Sequence, residues 1–192
     1  MLKKIKKWLS HKVKIKGEHF SFWINPKIVE GSNEFIKIQY AIKMLVRRGK
    51  KDLVDFYEYQ GLLRFEGVKK NIIVTVGRNV LARLLTGDAT YSGEINYGAL
   101  GNAVAPSFTN ASTQLNTEVG RKEASDAAFD DNIAYVDFFW ASGDIADDTY
   151  TEWGTFIDGT GAADSGQAFS LLATGGWVKS GAIYVSSKYT IV

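Results

Sequence analysis

FIKIQYAIKMLVRR, residues 35–48, decides how the first third of the chain is read. Ile36, Ile38, Tyr40, Ile42, Met44 and Val46 share one side of a period of two, with Lys37, Gln39, Lys43 and Arg47 on the other. A strand sorts such residues onto two faces, whereas a helix spreads them around its axis. The pattern therefore predicts a strand with its even-numbered face buried. RRGKKD reads as a turn at Gly49, and DLVDFYEYQ and LLRFEGV follow as two further strands separated by Gly61. Upstream, KVKIKGEHFSFWI alternates in the same way, with Phe20, Phe22 and Ile24 set against His19, Ser21 and Trp23 and a break at Gly17. These strands make an antiparallel N-terminal sheet. Before them, Leu2, Ile5, Trp8 and Leu9 form an apolar stripe among four lysines, the pattern of a short basic amphipathic helix that docks on its own domain or on a neighbour.

TVGRNVLARLLTG, residues 75–87, carries the clearest helical period. Val76, Val80 and Leu84 line one face, Thr75 is placed to cap the start, and Gly87 to stop the end. From residue 88 the composition shifts to Gly, Ala, Ser, Thr and Asp. NIAYVDFFWA (132–141), YTEWGTFI (150–157), AFSLLA and GAIYVSSKYTIV read as strands. The expected fold is mainly β with one or two helices: an N-terminal antiparallel sheet and a C-terminal β-sandwich-like region.

Composition narrows the function classes. The chain is 45% hydrophobic and 13% aromatic, enough for a real core, and has no cysteine, which removes disulfides, thiolate metal sites and cysteine nucleophiles. No apolar run is long enough to cross a membrane as a helix, and the basic start lacks the apolar core of a signal peptide, so synthesis in a cytoplasm is expected. Residues 1–87 carry 19 basic and 7 acidic side chains, net +12; the remainder carries 4 and 14, net −10. Such a split favours association with oppositely charged neighbours, other copies included. The lysines of the first half alternate with apolar residues as on solvated sheet faces, so no specific nucleic acid is implied.

Phosphate-binding, zinc-protease, nucleophile-elbow and calcium-loop motifs are all absent. The two histidines, His11 and His19, read as exposed or edge-strand residues. Asp144, Asp147, Asp148 and Glu152 bear the oxygen ligands calcium takes, but a solvated turn explains them better. Asp130 and Asp131 read as a carboxylate pair facing water. Trp140, Trp153 and Trp177 are the candidates for stacking a host-surface glycan, against the plainer reading as core or subunit-contact aromatics. No cofactor is called for.

One long segment is chemically quiet: GEINYGALGNAVAPSFTNASTQLNTEVGRK, residues 93–122. With its flanks it resembles a module of tailed-bacteriophage structural proteins. The resemblance rests on Asn71, Thr75, Gly77, Arg78 and Asn79 at a glycine-led helix, then Ala99, Leu100, Gly101, Ala105 and Pro106 in an ALGxGxxAP-like loop. Thr113, Leu115, Glu118, Val119 and Arg121 follow in a TxLxxEVxR-like short helix, and Tyr150 to Phe156 in a strand similar to ITEAGLF. Ala103 stands where the loop's second glycine would be, and Gly120 precedes Arg121. The resemblance covers residues 68–192, with a leading helix over 75–86, and leaves 1–67 as a basic β-rich docking region.

The resemblance implies a non-enzymatic virion component of the tail, tail fibre or baseplate, made in the host cytoplasm. Its expected partners are other virion proteins and further copies of itself. A receptor- or glycan-binding module and a capsid decoration protein are the alternatives. On this reading Leu100, Gly101, Pro106, Glu118, Arg121 and Trp8 are the interface candidates. Glu118 and Arg121 are spaced to pair with each other or across an interface.

Overall fold

A computed structural model describes residues 14–49 and 51–192. The chain is mainly β, as expected. Among the described residues, two five-stranded antiparallel sheets pack face to face in a β-sandwich-like arrangement, with three helices outside them. The strands are β1 (Ile15–Ile24), β2 (Leu63–Lys70), β3 (Ile72–Ile73), β4 (Ile95–Gly101), β5 (Glu118–Glu123), β6 (Asp126–Asp130), β7 (Ile133–Trp140), β8 (Asp148–Ile157), β9 (Gln167–Lys179) and β10 (Ala182–Ile191). One sheet runs β2-β1-β10-β7-β6 and the other β3-β9-β8-β4-β5. β1 pairs with β10 from Ile15↔Ile191 to Ile24↔Ala182 without a break at Gly17. The N-terminal strands are thus built into a sheet with C-terminal ones, and the boundary expected after residue 67 falls inside β2.

The segment 35–48 is not a strand. It forms helix α1 (Asn33–Arg48), and DLVDFYEYQ lies largely in helix α2 (Lys51–Tyr59). The physical reason is that the apolar set also satisfies a 3.6-residue period. Phe35, Ile38, Ala41, Ile42 and Val46 are buried, while Ile36 and Tyr40, which a strand would have hidden, are exposed. Both ends are capped. The Ser32 hydroxyl accepts from the Phe35 amide at 3.2 Å, and Gly49 takes the left-handed conformation (φ 62°), donating its N–H to the Leu45 carbonyl. The buried stripe covers the outer face of the first sheet, against Phe22, Ile24, Tyr135, Phe139 and Tyr184.

Helix α3 (Thr75–Leu85) matches the sequence reading in place and length, and Gly87 ends it at φ 78°. Thr75 is its first residue rather than its cap: Val74 holds the N-cap position, and no side chain caps it. The helix lies on β9 through Gly77, where a Cβ would fall 2.7 Å from the Phe169 Cα. Between the sheets, Leu100, Trp153, Tyr150 and Trp177 meet Val136, Phe138, Trp140 and Val185. Trp140 and Trp153 stack edge to face at 5.5 Å. Gly98 makes room for this, since a Cβ there would run into the Trp153 and Phe138 rings.

Candidate functional site

The polar side chains with chemical potential fall into four groups. The first lies in the middle of the sandwich. His19 on β1 faces Ser187 on β10, its direct cross-strand partner, with Nδ1 2.7 Å from the hydroxyl. Trp153 Nε1 donates to the same Nδ1 at 3.1 Å, so the ring proton belongs on Nε2, which lies 3.4 Å from Ser170 Oγ. Ser170, Thr155 and the Tyr189 hydroxyl close a triangle of 2.8 Å hydrogen bonds. Every member is buried. Burial holds His19 far below its ordinary value, at about 3, and pushes Tyr189 up to about 12. A serine beside a histidine suggests nucleophilic chemistry, but a general base needs a pKa near the working pH and a substrate within reach. This imidazole has neither and serves as a neutral joint between sheets. It is not the exposed or edge residue expected from sequence: β1 is an interior strand, with β2 on one side and β10 on the other.

The second group is Glu118 and Arg121. Their side chains are almost wholly buried and form a two-pronged ion pair, both contacts at 2.6 Å. Residues three apart on a strand ordinarily face opposite ways. A bulge resolves this. β5 pairs Leu100↔Gly120 and Gly101↔Glu118, so Val119 is the extra residue and Glu118 returns to the Arg121 side. Arg121 also donates to the Thr160 and Ser165 carbonyls and to Ser165 Oγ, and its guanidinium lies 4.8 Å from the Phe156 ring centre. The pair therefore clamps the loop between β8 and β9. The short helix expected over Thr113–Arg121 is replaced by loop and β5, and the pair is local rather than intermolecular.

The third group is the acidic turn. Asp144 pairs with Lys122 at 2.6 Å, and Glu152 accepts from the amides of Asn116 and Thr117. Asp147 pairs with Lys179 at 2.9 Å. Lys179, with its side chain fully buried, also donates to the Ser142 and Ile145 carbonyls. An ammonium group thus occupies the centre of the turn, where a cation would have been sought. Among the described residues no group of three or more acidic or histidine side chains converges as metal ligands would.

The fourth lies beneath α1. Asp126 accepts from Lys43 and Arg47; burial alone would raise its pKa, and the two cations outweigh that and hold it low. Asp137, deeper, is pushed up by burial despite a 2.5 Å hydrogen bond from Ser186.

The interface and stacking candidates sort clearly. Leu100 and Gly101 are buried in β4, where a Cβ on Gly101 would collide with the Glu152 carboxylate, so neither can meet a partner. Trp140, Trp153 and Trp177 are core residues, and none offers a ring face to a sugar. Pro106 is half-buried in the loop after β4, and Trp8 and His11 lie outside the described residues. That loop folds back on its own domain. Asn110 accepts from the Thr75 amide, Thr151 donates to the Ala103 carbonyl, and Leu115 enters the core. Val104 is its exposed large apolar side chain, almost fully accessible.

No family model matches the chain, and no curated protein or solved structure matches it. No helix among the described residues is long and apolar enough to cross a membrane.

A groove of about 1160 Å³ lies at the end of the sandwich where β1 starts and β10 stops. Its walls are Ile15, Ile72, Ile191 and the Leu81–Leu85 side of α3, and Lys14, Lys16, Lys70 and Arg78 stand around it. Sequence reading missed it because its walls come from four separate parts of the chain.

Proposed function

We propose that the chain is a non-catalytic structural component of a tailed-phage virion, working by self-association and by docking on other particle proteins. The observation that carries this reading is the internal use of its polar side chains. His19, Ser170, Ser187, Glu118, Arg121 and Lys179 all spend their hydrogen bonds on holding strands and loops. The exposed surface includes isolated large apolar side chains, Val104, Phe129 and Leu85, and the cations around the groove, which form no ion pair among the described residues. Such a surface suits contact with other proteins better than turnover. The ordered phage-like motifs add to it, and here they occupy positions that build the fold: Gly77 under α3, Leu115 in the core, the Glu118–Arg121 clamp.

The test is immunogold labelling of gradient-purified tailed particles with an antibody to this chain. Gold at one fixed position is expected. Abundant chain in the lysate with none in purified particles would overturn the proposal. So would release of sugar from host envelope polysaccharide by the purified chain.

A further inference from the structure

The groove has a counterpart on the same molecule. The end of β6 carries Phe129, 84% exposed, and Asp130, and the turn to β7 follows at Asp131 and Asn132. Asp131 sits at φ 54° in a tight turn that holds the tip out. Neither aspartate takes part in an ion pair among the described residues, and neither do Lys14, Lys16, Lys70 or Arg78. Residues 1–13 and 50 contain no Asp or Glu, so no carboxylate side chain of theirs can neutralise that cluster. Glu18 is the one carboxylate side chain among the groove residues.

The two features lie at the same end of one sheet. Ile15 pairs with Ile191 at the mouth of the groove, and Asn132 in the turn hydrogen-bonds Ile191 through both its carbonyl and its side chain. From β1 to β6 there are three strand steps of roughly 4.8 Å, about 15 Å in all. The tip does not sit in its own groove: β7 and β10 lie between it and β1, the turn is closed by two residues, and Phe129 stays 84% exposed.

We propose that two copies associate about a two-fold axis passing near Asn132 and Ile191, each seating its Phe129–Asp131 tip in the groove of the other. Phe129 meets the Leu81–Leu85 wall, and Asp130 and Asp131 meet the lysines and Arg78. Complementary patches side by side on one end are what an isologous contact requires; a head-to-tail filament would need them on opposite ends. The basic N-terminal segment is a poorer occupant, since its own lysines would face those around the groove. This inference stands on shape and charge and holds or fails independently of whether the chain is found in a particle.

The test is a charge swap read by sedimentation velocity over a wide range of protein concentration, at 0.1 M and 1 M salt. The full chain should dimerise, more weakly at high salt as screening shortens. Asp130→Lys with Asp131→Lys should be monomeric, as should Lys16→Glu with Lys70→Glu, both with unchanged circular dichroism. Mixing the two variants should restore a dimer, because both tips then meet grooves of opposite charge. A strictly monomeric wild type, open-ended oligomers, or variants that dimerise alone as well as wild type would each overturn it. Binding of a monomeric wild type to vesicles of anionic phospholipid, lost in Lys16→Glu with Lys70→Glu, would assign the groove to a membrane instead.

Discussion

Acidification should loosen the sandwich from its centre, through His19. In the folded chain burial holds this imidazole neutral down to about pH 3, while in the unfolded chain it takes a proton near its ordinary value of about 6.5. Between those limits the unfolded state binds the extra proton, so His19 costs no stability above pH 6.5 and a growing amount as pH falls toward 3. The full separation of about 3.5 units corresponds to roughly 5 kcal/mol, and the 1.5 units between 6.5 and 5 to about 2 kcal/mol, at 1.36 kcal/mol per unit. That is a large share of the ~5–15 kcal/mol a domain of this kind has. Asp137 acts in the opposite sense. Its raised value favours the fold at low pH and withdraws that support as pH rises through it, so the comparison must be made against a variant. His19→Gln keeps an acceptor toward Trp153 and Ser187 and a donor toward Ser170, but cannot titrate. Urea unfolding at pH 7.5, 6.0 and 5.0 should show wild type losing about 2 kcal/mol more than His19→Gln by pH 5. Equal slopes in the two proteins would refute the argument. So would a histidine-selective NMR titration in which both imidazoles protonate near pH 6.5.

Three further outcomes are expected. Ile38→Asp should cost several kcal/mol or abolish folding, while Ile36→Asp, two residues away on the opposite side of α1 and 55% exposed, should shift the urea midpoint little; similar losses in both would return residues 35–48 to a strand. Gly77→Ala should destabilise by about 1–3 kcal/mol despite the better helix propensity of alanine, because the methyl group meets the Phe169 backbone; a rise in melting temperature would show that α3 is not seated there. Arg121→Met should cost about 3–5 kcal/mol by stranding the buried Glu118 carboxylate and should speed hydrogen exchange in residues 158–166, with Glu118→Gln added to the same chain recovering part of the loss.

What the sequence disclosed of the fold depended on whether a segment satisfied one period or two. Residues 133–140 and 182–191 are apolar on both faces and rich in aromatic and β-branched side chains, and both are strands. Residues 35–48 fit both periods. The β-branched residues Ile36, Ile38, Ile42 and Val46 tipped the propensity toward strand. The ends would have decided it correctly: Ser32 before the run, Glu34 in the first turn, Arg47 and Arg48 in the last, and Gly49 after it are the start and stop signals of a helix. Capping chemistry outranks alternation here because a strand in the middle of a sheet has no use for a cap.

The candidate site was less legible because its geometry is made by pairing rather than by local spacing. His19 meets Trp153, Ser170 and Ser187 across 134, 151 and 168 residues. In a strand pattern, Ser170 and Ser187 look like ordinary polar positions, and only the register that puts Ser187 opposite His19 makes them a network. The Glu118–Arg121 pair shows the converse. It lies three residues apart, so the partnership was visible, but not its place in a bulged strand. That distinction changes its meaning: a pair on an exposed helix can be offered to a neighbour, whereas one buried beside a bulge is already committed to the loop it clamps. Of the features left free for partners, Arg78 and the Asp130–Asp131 pair were visible one by one in the sequence, but their places on one end of the molecule were not. Beyond them, only the charge split between the two halves of the chain pointed there. A charge imbalance survives folding as a surface property when the opposing groups cannot reach one another within one molecule. Here two strands of the same sheet keep the groove and the acidic tip apart.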